Sequence, residues 1–262
     1  MSPYRRAAAV LAVSLLPILA IPAAAAPRPT AKPVAKAAPA ASGTALTRVD
    51  IREAEQRLAD LGYWTGPIDG VWDEASRHAL VAFQKVERAR ATGRLTRAEL
   101  NALSVAAPPR PRELGTHIEV DLARQVLFLV DDRGKVANIL PISSGSGKRF
   151  HENGYPETHA VTPCGHLEVF AKASGWKTSP LGQMHNPLYI VGGIAIHGSL
   201  DVPAYPASHG CIRVPMFASQ RLPRIVPKGT PVFVYGCKDD SPARTIAAAP
   251  VAADETIAAA EK

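Results

Sequence analysis

The spacing of apolar residues changes character along the chain. A continuous apolar run from Ala7 to Ile21 is followed by a stretch poor in large side chains, then by apolar positions at helical spacing from Thr47, then by alternating and short continuous runs beyond Thr116. In TRVDIREAEQRLADLGYW the residues Val49, Ile51, Ala54, Leu58 and Leu61 recur at near-helical spacing, and Gly62 ends the pattern. GPIDG reads as a turn. DEASRHALVAFQKVERA predicts a second helix with a stripe of Ala75, Ala79, Leu80, Phe83 and Val86. Thr96 to Leu103 predicts a third, with Thr96 and Glu99 spaced as a capping box. Leu58, Leu61, Trp64, Ile68, Leu80, Phe83 and Leu100 are the expected core of this module.

Ala106 to Arg112, AAPPRPR, is a semi-rigid Pro-rich joint. Past it, THIEVDLARQVLFLVDDRGKVANILPISSG has the patterning of strands, with Asp131 to Gly134 as a hairpin turn. Further strands are expected at His166 to Lys172, Leu188 to His197 and Pro231 to Tyr235, while PMFASQRLPRIV has room for a turn or two of helix. The expected fold class is multidomain α+β: a small three-helix N-terminal module, then a mainly-β, sandwich-like domain with mostly antiparallel pairing.

Composition extends the picture at the ends. Arg5 and Arg6 precede the apolar run and small residues follow at Ala23 to Ala26, the layout of a secretory signal peptide over 1–26. The run is Ala-rich and broken by Pro17, a poor match to a span of roughly 20 strongly apolar residues, so a membrane is a partner only if this segment stays uncleaved. Residues 27–46 form a Pro/Ala-rich linker, 47–104 the helical module, 105–115 a second linker, 116–237 the β-rich domain and 238–262 a tail expected to be disordered. The expected location is exported: cell wall, periplasm or extracellular space. The net charge of +7 is scattered, without the basic cluster interleaved with aromatics that nucleic-acid binding calls for. The cysteines are Cys164, Cys211 and Cys237, an odd number that points to a free thiol in an exported protein. Cys164 and Cys237 can pair or can both be buried small hydrophobes, and spacing does not choose between these.

Reactive residue types concentrate in GGIAIHGSLDVPAYPASHGCIRVP, from Gly192 to Pro215. A β-leaning run delivers His197 to a turn, and a Pro-punctuated loop, a natural carrier of function, returns to Ser208, His209, Gly210 and Cys211. Three readings are open for Cys211. As a nucleophile it has a base in His197, whose imidazolium would favour thiolate, and oxyanion donors in the amides around Gly210 and Cys211. As a zinc ligand it has His197, His209 and, as a further candidate, His185 for company, without the usual paired spacing. As a structural thiol it would sit in an apolar run rather than in a turn.

The flanking motifs carry resemblances. EAEQRLADLGYWTGPIDGVWDEASRHALVAFQKV, with its LGYW, DG and FQ landmarks, resembles the small three-helix peptidoglycan-binding domain family over Thr47 to Ser104, although RARATGRLTRAEL lacks the usual second DG. HGSLDVPAYPASHGCIRV, with PISSG, TPCG and SPLGQMHNPLYIVGGIAIHGS before it, resembles the L,D-transpeptidase (YkuD) catalytic domain over Thr116 to Tyr235. Here Arg213 stands in place of the common Asn, and Cys164 in place of the common Thr of TPTG. The resemblance implies catalytic roles for Cys211 as nucleophile, His197 as proton acceptor and donor, and His209 as a neighbour of the thiol. It implies a backbone carbonyl near Gly198 or Ser199 that orients His197, and substrate-binding roles for Gly192, Gly193, Gly210 and Arg213. A loop-bracing role for Arg213 is the alternative. No cofactor or metal is implied. The implied activity is crosslinking of third residues of peptidoglycan stem peptides through a Cys thioester, with carbapenem β-lactams as covalent inhibitors. The alternatives are an L,D-carboxypeptidase that trims tetrapeptide stems, and a non-catalytic wall-binding protein.

Overall fold

A computed structural model describes residues 45–151 and 157–237. The signal segment, all but the end of the first linker, and the tail lie outside the described residues. Among the described residues no helix is long and apolar enough to cross a membrane.

The helical module consists of α1 (Arg48–Asp60), α2 (Glu74–Val86) and α3 (Arg97–Val105). Thr47 and Asp50 close a capping box at the start of α1, and Asp73 caps α2 through Ser76 N. Thr96 caps α3 by accepting from Ala98 N, while its hydroxyl donates to Glu99, so the expected box is replaced by a one-sided cap. The buried Glu55 of α1 holds the GPIDG turn, accepting from Asp69 N, Gly70 N and the Ser76 hydroxyl.

The rest of the chain adds β1 (His117–Asp121), β2 (Val126–Val130), β3 (Val136–Pro141), β4 (Arg149–Phe150), β5 (Thr158–His159) and β6 (Gly165–Glu168). It continues with β7 (Ala171–Lys172), β8 (Trp176–Ser179), β9 (Gly182–Val191), β10 (Ile194–Ser199) and β11 (Ile212–Pro215). Two single-turn helices, α4 (Met216–Ser219) and α5 (Leu222–Ile225), precede β12 (Pro231–Tyr235). One sheet has the order β3-β2-β1-β12-β6; the other has β11-β10-β9-β7, with β8 also on β9. Pairing is antiparallel except for β1 with β12 and β10 with β11.

The sheets face each other across a core of Ile118, Val120, Leu127, Leu129, Leu140, Val232 and Val234 from the first and Leu188, Ile190, Ile196, Ile212 and Val214 from the second. Because side chains alternate along a strand, β2 sends Leu127 and Leu129 into this core and Val126, Phe128 and Val130 to the opposite face. There they meet Leu58, Leu61, Tyr63, Leu80, Phe83 and Leu103 of the helical module. Every residue of β2 is buried as a result, and β1 is buried as well, its Glu119 carboxylate accepting from the Arg112 and Glu113 amides and the Tyr235 hydroxyl. The backbone joins in: Trp64 N donates to Ile139 O (3.1 Å) and Ile139 N to Gly62 O (2.8 Å).

These contacts revise the expected helical core. The module shares its core with the sheet, and Trp64 belongs to the core between the sheets. Leu100 is only partly buried against the shared core. Ile68 is 38% exposed in its turn and Val49 74% exposed on the outer face of α1. The run Leu188 to His197 is two strands rather than one, because Gly192 and Gly193 form the β9–β10 turn. His166 to Lys172 is likewise divided. Val169 N bonds Thr230 O on the first sheet and Phe170 N bonds Tyr189 O on the second, so the chain changes sheets between them. Cys164 and Cys237 form a disulfide, with Cα atoms 6.1 Å apart, and Cys211 is free.

Candidate active site

The parallel β10–β11 pair sets the site. Its register places His197 opposite Arg213, and Cys211 lies immediately before β11 at the end of the loop that crosses from one strand to the other. His197 is only 5% exposed, and its Nδ1 lies 2.9 Å from the carbonyl oxygen of Gly198. A carbonyl only accepts, so Nδ1 carries the proton and donates, and Nε2 is left with a lone pair. The close approach of α4 beneath this corner requires glycine at 198: a Cβ there would sit 2.2 Å from Ser219 Oγ.

Cys211 is partly buried, with Sγ 3.8 Å from Gly193 O and 3.9 Å from Met184 Sδ. Burial pushes the thiol above its ordinary pKa, an effect that the Ala195 amide and the Arg213 cation only partly offset. Burial also pushes His197 down to about 4; the Gly198 bond opposes this and Arg213 adds to it. Both shifts favour the neutral forms of the thiol and the imidazole at pH 7, against the imidazolium-assisted thiolate expected from the sequence.

The motifs flanking the reactive stretch hold its loop in place. Ser143 exchanges backbone hydrogen bonds with Arg213, at 3.0 and 3.1 Å. Thr162 of TPCG donates from Oγ1 to Gly210 O (2.6 Å) and accepts from Gly145 N (2.9 Å). Ser208 Oγ donates to Cys211 O (2.6 Å) and accepts from Gly210 N (3.0 Å). Gly210, at φ +140°, has room for no side chain, since a Cβ would meet Val161 O at 3.0 Å. Sequence reasoning noted PISSG and TPCG as landmarks and missed what Thr162 and Ser208 do. Their signal was the landmarks themselves.

The remaining expected residues divide. Gly193 is brought to the thiol through its carbonyl; Gly192, beside it in the turn, has φ +51°. The Gly210 amide is already taken by Ser208, which removes it as a free oxyanion donor. Arg213 makes a long ion pair with the exposed Asp201 (3.6 Å), the loop-bracing contact, and keeps its charge near both Cys211 and His197. His209 is exposed, and its ring lies against Phe150 of β4 with centroids 4.8 Å apart. That stacking accounts for its orientation in place of the expected contact with the thiol. Met184, and Tyr189, whose pKa burial raises with a contribution from Cys211, were not anticipated as neighbours of the site. Among the described residues no group of His, Cys, Asp or Glu able to hold a metal ion is gathered. His185, a possible ligand by sequence, bonds Ser219 Oγ through Nδ1 at 2.8 Å.

Comparison with known proteins follows the same division of the chain. Residues 115–234 match the model of the YkuD L,D-transpeptidase catalytic domain family, and residues 47–103 that of a peptidoglycan binding domain family. No curated protein sequence matches. Among solved structures, an L,D-transpeptidase from Xylanimonas cellulosilytica is 37% identical and superposes with a TM-score of 0.68, covering 74% of this chain and 95% of that one. An L,D-transpeptidase from Stackebrandtia nassauensis is 21% identical, with TM-score 0.41 and coverage of 71% and 90%. A mutant L,D-transpeptidase of Enterococcus faecium is 31% identical, with TM-score 0.36 and coverage of 46% and 50%. The Xylanimonas likeness covers 95% of the crystallised segment, residues 123–326 of that protein, and, with the matched catalytic domain, establishes that the chain belongs to the L,D-transpeptidase family of peptidoglycan-modifying enzymes.

Proposed function

We propose that this chain crosslinks third residues of peptidoglycan stem peptides, with Cys211 as nucleophile and His197 as the proton carrier. The observation that carries the reading is the Nδ1–H bond of His197 to Gly198 O, which leaves Nε2 as an acceptor on the strand paired with the segment bearing the only free thiol. An orienting carbonyl does here what a carboxylate does in other nucleophile–histidine sites, without adding negative charge near the sulfur.

Chemistry starts from the neutral pair. Nε2 takes the thiol proton as Sγ attacks the carbonyl that joins the third residue of a tetrapeptide stem to its terminal D-alanine. The tetrahedral oxyanion draws on the Cys211 amide, since that of Gly210 is occupied. Collapse breaks the C–N bond; the imidazolium returns its proton to the departing amine, D-alanine leaves and a thioester remains. The amine of a neighbouring stem then attacks, His197 accepts its proton, and the thiolate departs and is reprotonated. Arg213, paired among the described residues only with the exposed Asp201 at 3.6 Å, is available to a substrate carboxylate, and the Gly192–Gly193 turn, whose Gly193 carbonyl faces the thiol, would border the bound stem. In this reading the chain is exported by its N-terminal segment, the helical module contacts wall glycan or peptide, and carbapenems acylate Cys211.

The test is incubation of the purified protein with disaccharide-tetrapeptide, read by mass spectrometry. Crosslinked dimer supports the reading. Trimmed monomer alone would make the protein an L,D-carboxypeptidase, and no product would leave it a wall-binding protein. Cys211→Ala is expected to abolish product and carbapenem adduct while preserving the melting transition; activity retained in that variant overturns the assignment.

A further inference from the structure

Lys85 of α2 is 6% exposed, and its ammonium meets only backbone carbonyls: Nζ donates to Gln125 O (3.0 Å) and Ile142 O (2.9 Å). Neither acceptor is in the helical module. Gln125 ends the β1–β2 turn and Ile142 follows β3. Burial pushes Lys85 down to about 7, yet even the neutral amine keeps two N–H donors for its two acceptors. A buried amine is costly to keep, and an apolar side chain of the same length would fill the site. Its hydrogen bonds therefore call for a purpose.

They continue without a break to the nucleophile. Gln125 is held in the left-handed region, φ +57°, which a non-glycine residue adopts only when its surroundings enforce it. Its carbonyl accepts from both Lys85 and Ile142 N. Its buried side chain donates to Leu122 O and Ser144 Oγ and accepts from Ser144 N (2.8, 2.7 and 2.9 Å). Ser144 O accepts in turn from Ala207 N and Ser208 N, both at 2.9 Å. Ser208 Oγ holds the Cys211 carbonyl. Each group in this series has its partners fixed, so a shift at one end is felt at the other.

We infer that Lys85 is a positioning residue for Cys211, through which the helical module sets the nucleophile's loop by way of Gln125, Ser144 and Ser208. The inference rests on the reading of Cys211 as nucleophile. The module then serves catalysis directly as well as any wall contact it makes, because a nucleophile displaced by about 1 Å loses on the order of 100-fold in rate.

The test is a double-mutant cycle in the full chain. Lys85→Met keeps the aliphatic stem and removes the donors; Gln125→Met removes both side-chain bonds to Ser144 and so cuts the series at its middle. Each folded variant is expected to lose roughly 10- to 100-fold in kcat with KM little changed. Alkylation of Cys211 by iodoacetamide should slow in parallel. The double variant is expected to lose no more than the worse single one, because both cut the same series. Multiplying losses, or wild-type kcat in folded Lys85→Met, would overturn the inference. If Lys85→Met does not fold, Gln125→Met carries the test, and wild-type kcat in that variant overturns it. Activity in Cys211→Ala would overturn the nucleophile reading and this inference together, whereas an inactive Cys211→Ala beside a fully active Lys85→Met overturns only the inference.

Discussion

The two sheets of the β domain differ in what lies on their outer faces. The β3-β2-β1-β12-β6 sheet is covered on β2 and β3 by the helical module, and β1 and β2 are buried from end to end. In the β11-β10-β9-β7 sheet β10 and β11 are largely buried while β7 and the first half of β9 are half-buried or exposed, and the free thiol stands just before the edge strand β11 with Gly193 O and Met184 Sδ near its sulfur. The first sheet is enclosed over β1 and β2 and supplies the frame, while the second leaves surface open near the thiol. The chemistry therefore sits where backbone is held by hydrogen bonds and a few polar side chains, and bulk apolar packing sits on the far side. Changes on the open side should cost activity with little stability, and apolar truncations on the closed side, away from the Lys85 series, the reverse.

His197→Gln tests the open side most severely. Glutamine keeps much of the volume and a polar group but cannot carry a proton back and forth, so kcat/KM is expected to fall by about 10²- to 10⁴-fold with the melting transition largely kept. On the closed side, Ile139→Ala removes a fully buried side chain from the shared core and should cost about 2–5 kcal/mol in denaturant unfolding. Because helices and sheet share that core, they should melt in one transition with kcat unchanged in the folded fraction. Separate melting of the module would break the comparison.

Each side also holds a neutral buried histidine, which gives a titration test. Burial holds His197 at about 4 and, chiefly by burial with help from the Arg77 cation, His78 at about 4. Unfolded histidine titrates near 6.5. Between these values the unfolded chain binds more protons, so stability is fully present above pH 6.5 and is lost as pH falls toward 4. Each histidine contributes at most about 3 kcal/mol to that loss. His78, whose Nδ1 has no hydrogen-bond partner, can be replaced by leucine. Unfolding of His78→Leu followed from pH 7 to 4 should show about half the wild-type acid slope and an unchanged pH dependence of activity. An unchanged slope would locate the acid sensitivity elsewhere.

The same contrast explains what could be read in advance. The continuous run VLFLV already had the pattern of a strand buried on both faces, and Thr47, Gly62 and the apolar stripe of α2 marked helices correctly. An apolar face does not name its partner, however, so Trp64 and Ile68 were placed in a module core that is in fact shared with the sheet. Gly192–Gly193 within a β-leaning run did not separate one strand from two. At the site, residue types and spacing located Cys211 and His197, whose chemistry is local. The scaffold was not legible, because Thr162, Ser208 and Lys85 act through contacts with residues far away in sequence, Gly210, Ser144 and Ile142 among them. The bond of the Gly210 amide to Ser208 was hidden for a different reason: it depends on the turn's dihedral angles rather than on its composition.

His209 gives the smallest expected effect and the finest test of the comparison. By sequence it stands beside Gly210 and Cys211 and resembles a catalytic histidine; in the structure its exposed ring rests on Phe150. An aromatic contact of this kind contributes about 0.5–1.5 kcal/mol, so His209→Ala should lower kcat/KM by no more than about 10-fold. Phe150→Ala should reproduce much of that loss, since it removes the ring's support, and combining the two should add little. Steady-state rates with disaccharide-tetrapeptide measure all three. If His209→Ala instead matches His197→Gln, the ring leaves Phe150 for the reacting centre when substrate binds, and the open face then carries two catalytic histidines where the resting geometry supports one.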